Sequence, residues 1–272
     1  MTYLPEGYRD VDAAADFEKL KTCLAVIDRL PDFQAYKHAS YDALNLTPRG
    51  KVADVACGLG FDLPRLMEIV PQGSVTGFDL SNAFLSFATD HASEALSGNA
   101  ASINVRHSDI HNLDCEANVF DAARIDRSLQ HVADPARAIA EMTRIVRPGG
   151  IVCAAEPDWR TYVIGSDLPD ISEKITSEFA KTIRNPHLGR SLVDLLGAEL
   201  ALTHHSVHPL LLRLLPDAEI IFDLKNTVAR SVEAGFVSTA EGIAFEENLE
   251  ERHASGRFFA HLTVHLVAGQ KQ

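Results

Sequence analysis

Long apolar runs are missing from this chain of 272 residues. The most apolar stretches, residues 151–155 and 210–215 (the second broken by Arg213), fall far short of the ~20 residues that span a bilayer. Cysteine is scarce and scattered: Cys23, Cys57, Cys115 and Cys153 form no Cys-x-x-Cys pair. That excludes a zinc ribbon and reads as reduced thiols in a cytosol. Positive charge is outweighed, 25 Lys and Arg against 38 Asp and Glu, for a net charge of −13. A surface of that sign repels phosphate, so nucleic acid and anionic membrane are poor partners. Residues 1–7 have neither a basic lead nor an apolar run, and no secretory signal is expected. There is no internal repeat, no low-complexity segment and no flexible interdomain linker. A cytoplasmic globular protein with one enlarged α/β domain is the class left standing.

In residues 1–50, Phe17, Leu20, Leu24, Ile27 and Leu30 recur at helical steps. Pro31 stops that segment, and a second short one runs from Gln34 to Leu46. Short apolar runs then alternate with amphipathic stretches, the pattern of a parallel sheet flanked by helices. Strands are expected at 52–56, 74–78, 103–106, 119–125 and 151–155. The helix after the second strand spans about 81–96. The helix before the fifth opens on Asp134 and Pro135 and closes on the turn Arg147-Pro148-Gly149-Gly150. Pro157, which has no N–H to donate, is expected to end the fifth strand. Beyond it, helical segments near 170–185 and 189–200 lead to an apolar run at 207–215. Helices at about 216–235 and 239–254 precede a last strand near 258–268. The domain reading is an N-terminal helical cap, 1–50, on one domain, 51–272, with helical insertions at about 158–205 and 215–256.

The densest information lies in Asp54-Val55-Ala56-Cys57-Gly58-Leu59-Gly60-Phe61-Asp62. Glycines between a strand and a helix let backbone approach a ligand and accept positive φ, though such pairs also occur merely to make a turn. Asp79 sharpens the reading. It ends the second strand 19 residues past Gly60, where an acid accepts both hydroxyls of a ribose. It could instead cap the next helix, but Ser81 is placed for that. A dinucleotide would need G-x-G-x-x-G; counted from Gly58 the third glycine falls on Leu63, and counted from position 56 it falls on Phe61. S-adenosylmethionine carries no phosphate, so it needs only the close backbone approach. Its cationic end suits the flanking Asp54 and Asp62.

Residues 34–159 resemble the class I S-adenosylmethionine-dependent methyltransferases, in particular the ubiquinone/menaquinone-biosynthesis-like group. The resemblance is carried by the glycine segment, by Gly77-Phe78-Asp79-Leu80-Ser81, by Ser108-Asp109-Ile110, by Phe120–Ile125 with Leu129-Gln130-His131 after it, and by Arg147-Pro148-Gly149-Gly150. It implies a Rossmann-like seven-stranded sheet with the last strand antiparallel, N-terminal helices and an inserted helical lid. It also implies S-adenosyl-L-methionine as cofactor, held by Lys37, Asp54, Ala56, Cys57, Gly58, Gly60, Asp79, Leu80, Asp109, Ile110 and Arg127. This chain has Ala56 where the family usually has glycine, a methyl group beside the methionine part of the cofactor.

Methyl transfer is an in-line displacement whose main demand is geometric; a phenol or carbon acid also needs a base. His131, following the fourth strand, is one candidate base, and it could equally shape the pocket. His187, between Arg184 and Arg190, is another. Asp158 and Trp159 could orient and wall the acceptor, or simply form a strand-end turn. Lys37 could pair with the cofactor's carboxylate or stay solvated. Cys57 reads as small filler, since nearby acids raise a thiol pKa. His204, His205, His208, His261 and His265 lack Cys or carboxylate at matching spacing, and no metal is expected. The expected partners are a small-molecule acceptor and, at most, a second copy of the chain. Two other readings compete: a cofactor-binding protein or cyclase that transfers no methyl group, and a nicotinamide oxidoreductase.

Overall fold

The structure, a computed structural model, describes residues 3–14, 16–95 and 103–272. Three helices lead in: α1 (Leu4–Gly7), α2 (Phe17–Arg29) and α3 (Pro31–Ala43). Then come β1 (Lys51–Val55), α4 (Asp62–Ile69), β2 (Ser74–Asp79), α5 (Asn82–Ala95), β3 (Ile103–His107), β4 (Phe120–Asp126), α6 (Pro135–Ile145) and β5 (Val146–Ile164). The C-terminal part comprises α7 (Pro169–Thr182), α8 (Leu188–Gly197), β6 (Ala201–Leu212), α9 (Leu215–Ile221), α10 (Leu224–Glu233), α11 (Thr239–Ala254) and β7 (Ala260–Gln270). The expected end of the second-strand helix at Leu96 lies outside the described residues.

The strands form one seven-stranded sheet ordered β3-β2-β1-β4-β5-β7-β6. Neighbours from β3 to β5 are parallel, and β7 runs antiparallel to both β5 and β6. This is the Rossmann-like arrangement expected. Its strand order reverses between β1 and β4, and that is where an open parallel sheet leaves a ligand crevice at its carboxyl edge. Period-2 alternation in β1 serves both faces. Val52 belongs to the same apolar cluster as Leu63, Leu66 and Met67 of α4, while Ala53 and Val55 belong to the cluster on the other face, with Ile139 and Met142 of α6 and Leu192 of α8.

Local signals set the helix ends. The Asp16 side chain accepts from Lys19 N–H to open α2, and Asp134 accepts from Arg137 N–H to open α6, with Pro135 in its first turn. Ser81 caps α5 as expected, its Oγ accepting from Phe84 N–H at 3.1 Å.

Several boundaries differ from the sequence reading. Pro157 does not end β5; it pairs with Val264 of β7. On the other side the β4 ladder stops at Asp126↔Ala155, so that edge is already open where the proline lies. The expected turn at Arg147–Gly150 is an irregularity inside β5, where the β4 register shifts and Gly149 adopts φ +79°. The first insertion is helical only over α7 and α8, because β5 and β6 both run longer than their apolar cores suggest. The expected 216–235 helix is two, α9 and α10. They are separated by Asp223 at φ +47°, whose carboxylate accepts from Leu4 N–H at 2.9 Å and from Lys19 Nζ at 2.7 Å.

Candidate active site

A cavity of about 540 Å³ opens at the carboxyl ends of β1 to β4, roofed by the N-terminal segment and by α7 and α9. Its floor is the bend after β1. Ala56 and Gly58 both adopt φ +56°, and Cys57 N–H donates to Phe78 O at 2.9 Å. A Cβ built on Gly58 would meet nothing nearer than Leu24 Cδ1 at 4.0 Å. Conformation, not crowding, requires glycine there, and the open space faces the cavity. Gly60 has another role. Its Cβ would lie 2.8 Å from Ala88 Cβ, so it lets α5 approach and does not line the cavity, contrary to the cofactor contact expected of it. The Cys57 thiol is pushed up by burial and then by the Asp79 charge, which keeps it an inert neutral group.

Asp79 ties the bend to the next helix. Its Oδ2 accepts from Gly58 N–H at 2.8 Å and its Oδ1 from Ser81 N–H at 2.9 Å. Each oxygen keeps a further lone pair for a ligand hydroxyl. Burial, partly offset by these backbone donors, raises its pKa. Leu80 and Ile110 offer apolar surface beside it, and Asp109, held by His111 N–H at 2.8 Å, stands at the rim. From the N-terminal segment, Asp12 accepts from Ser81 Oγ and from Asn82 N–H, fastening that segment over the same corner.

Beneath the bend lies a buried charge cluster that the sequence reading missed. Arg124, in mid-β4, is 1% exposed. Its Nη1 donates to Asp54 at 3.1 Å and Asp62 at 3.0 Å, and its Nε donates to Ser40 Oγ at 2.7 Å. Tyr41 and Lys37 also donate to Asp62, at 2.7 and 2.8 Å, and Arg65 clamps Asp28 through both terminal nitrogens. Burial lifts Asp54 to about 7 against the pull of Arg124. Asp62 stays well below the usual carboxylate range because Lys37 and Arg124 outweigh its burial. Lys37 lines the cavity, but its ammonium is shared between Asp62 and Asp28, so the free cation expected for the cofactor's carboxylate is already engaged. The available signal was an arginine at the centre of a strand, between Ala123 and Ile125.

The other end of the cavity is built by the loop after β4. Arg127 adopts φ +52°, with its N–H donating to Ala155 O at 2.8 Å. Leu129 N–H donates to Oε1 of the fully buried Glu156 at 2.6 Å, while Glu156 Oε2 has no partner among the described residues. Burial pushes that carboxyl up to about 8. His131 lies against the Tyr8 ring, centroids 5.4 Å apart, and its buried Nδ1 is unpaired among the described residues. Burial, then Arg9, Arg127 and Arg184, push its pKa down to about 3, so it is a neutral, weakly basic ring. Trp159 donates from Nε1 to Gln130 Oε1 at 2.6 Å and packs on Phe179 at 5.0 Å, forming an aromatic wall. Asp158 and His187 are not part of the lining. The Asp158 carboxylate turns to Arg190 and Arg160 N–H, and His187 stands at the start of α8. His204 and His208 share Ser206 Oγ on β6, and no group of three or more potential metal ligands occurs among the described residues.

The donor set fits S-adenosylmethionine. Arg124 and Lys37 take up Asp54 and Asp62, which leaves Asp79 and Asp109 as the acids that face a ligand at the bend; that suits a sulfonium and opposes a pyrophosphate, and the Gly58 opening admits a close ligand. Residues 53–154 match the methyltransferase domain family. An uncharacterised 37.1 kDa protein in a Streptomyces fradiae transposon is 36% identical over 244 residues, covering 87% of this chain and 67% of that protein. A demethylmenaquinone methyltransferase of Bacillus cereus is 32% identical over 151 residues, covering 54% of this chain; the match spans 62% of that enzyme. Among solved structures, a methyltransferase-like protein from Bacillus halodurans superposes with a TM-score of 0.61 at 16% identity, covering 85% of this chain and 96% of the other. A geranyl diphosphate methyltransferase in complex with S-adenosylmethionine gives 0.57 at 18% identity, covering 100% and 97%. The matched domain, the strand order and the site together identify this chain as a member of the class I S-adenosylmethionine-dependent methyltransferases.

Proposed function

We propose that this enzyme methylates a small, largely apolar acceptor, and that one continuous cavity holds cofactor and acceptor together. When bound, S-adenosylmethionine supplies an electrophilic methyl group on a sulfonium. The chain's part is to orient. Asp79 grips the sugar, Leu80, Asp109 and Ile110 frame the base, and Ala56, Cys57, Gly58 and the Arg127 backbone set the depth of the cofactor. Trp159, Phe179 and Tyr8 hold the acceptor and exclude water, which serves a displacement governed by alignment. His131, uncharged and weakly basic, suits hydrogen bonding to the acceptor better than removing a proton from a phenol. The observation that carries the reading is Asp79 bonded to Gly58 N–H at the floor of a cavity that runs on to the aromatic wall.

A relative's name supports a largely apolar acceptor: that enzyme acts on demethylmenaquinone. No helix among the described residues is long and apolar enough to cross a membrane, and we place the reaction in the cytoplasm. The net charge of −13 favours a small molecule over nucleic acid. The helices of residues 1–50 and the two insertions act as the cap.

The test is incubation with S-adenosylmethionine and a metabolite extract, followed by mass spectrometry. A metabolite gaining one methyl group, with matching S-adenosylhomocysteine, is expected. Cofactor binding without product would point to a non-transferring protein. Thermal stabilisation by NAD but not by S-adenosylmethionine would point to an oxidoreductase.

A further inference from the structure

The cavity is electrically divided. At the bend Asp79 and Asp109 offer carboxylates, Asp54 and Asp62 being taken up by Arg124 and Lys37, whereas Arg9, Arg127 and Arg184 converge on His131 at the opposite end. In a chain with a net charge of −13 this is a local inversion of sign, and these arginines are poorly neutralised. Arg127 Nε, itself buried, lies 3.5 Å from Asp126 Oδ1 without making a hydrogen bond. Asp126 is shared: it accepts from Tyr36 OH at 2.9 Å and faces Arg124 at 3.4 Å. Arg9, at the rim, donates to the Thr182 carbonyl and meets no carboxylate among the described residues. Arg184, also at the rim, has no hydrogen-bond or ion-pair partner among them. His131 Nδ1 completes the set as a second buried nitrogen without a partner.

Arg127 Nε and His131 Nδ1 are buried without a partner among the described residues, which is costly, while Arg9 and Arg184 are exposed cations at the rim; guanidinium groups recognise planar oxyanions best. The adjoining wall of Trp159 and Phe179 is apolar. We propose, on the methyl-transfer reading above, that the acceptor is an organic acid. Its carboxylate meets Arg9, Arg127 and Arg184 around His131, and its apolar body lies on Trp159 and Phe179. The acid is drawn to the end of the cavity where its charge is wanted and kept from the carboxylates that serve the sulfonium. The arrangement selects against the neutral ester or amide of the same skeleton, because neither satisfies the arginines.

Trp159, the chain's single tryptophan, reports on this wall. The enzyme is saturated with S-adenosylhomocysteine and titrated with 3-phenylpropanoate or with 3-phenylpropanamide while its fluorescence is followed. The acid is expected to bind about tenfold or more tighter than the amide, from charge-assisted hydrogen bonds, and to weaken as salt rises. In an Arg9→Met/Arg184→Met variant that still binds S-adenosylhomocysteine, that preference is expected to fall to about threefold or less. If S-adenosylhomocysteine binds but acid and amide bind alike, or neither binds, the oxyanion subsite is wrong and the cofactor site stands. If S-adenosylhomocysteine itself fails to bind, the functional reading falls, and the acid with it.

Discussion

Ala56 carries a Cβ at φ +56°, a conformation that costs an L-residue about 1–2 kcal/mol. Glycine there would relieve that strain but lose about 0.5–1 kcal/mol through the freer unfolded chain. Ala56→Gly is therefore expected to leave the unfolding free energy from urea titration within about 1 kcal/mol of wild type, whereas Ala56→Val, β-branched in the same conformation, is expected to lose about 2 kcal/mol or more. A second residue makes stability depend on pH. Glu156 ionises near 4.5 in ordinary surroundings and near 8 in the folded chain. Between those values the unfolded chain has released a proton that the folded chain retains, so rising pH favours unfolding; above about 8 the penalty is constant and below 4.5 it is absent. Glu156→Gln keeps the acceptor for Leu129 N–H and removes the penalty. Its advantage over wild type in urea unfolding is expected to be nil in acid and to reach about 4–5 kcal/mol by mildly alkaline pH. A constant offset across that range would show that Glu156 is not held protonated.

Strand β4 is where an element and a charge cluster meet. Arg124 neutralises Asp54 and Asp62 from the middle of the sheet, and Lys37 and Ser40 bring α3 onto the same network. Arg124→Met is expected to destabilise the chain by about 3–5 kcal/mol, because it leaves buried carboxylates uncompensated. Arg124→Lys should not restore the loss, since one ammonium cannot reproduce the fork that reaches both aspartates and Ser40. Equal midpoints for wild type and Arg124→Met would contradict this. The parallel strands and the two-faced packing of β1 were legible because apolar alternation and glycine punctuation are local. The limits of β5 were not: Pro157 breaks a ladder only where both neighbours continue, and β4 has already stopped. Nor was the break between α9 and α10, which depends on contacts from Leu4 and Lys19 to Asp223, more than two hundred residues away in sequence.

For the whole molecule, the glycine bend after β1 and Asp79 at the end of β2 were legible from spacing, and Ala56 and Asp109 from the family resemblance; the structure places all four in the lining of one cavity. The acceptor end was not legible, because Tyr8, Arg9, Trp159, Phe179 and Arg184 come from segments that only the fold brings together. Asp158 and His187 illustrate the limit: proximity in sequence to the cavity wall does not make a side chain face it. The divided charge of the cavity is likewise a property of assembly. Calorimetric titration of S-adenosylhomocysteine into the wild type and into Asp79→Ala bears most directly on the cofactor site. One-to-one binding is expected for the wild type, weakened about a hundredfold in the variant by loss of two hydrogen bonds to a charged acceptor. No binding by the wild type, or equal affinity in the variant, would contradict the site described for this protein.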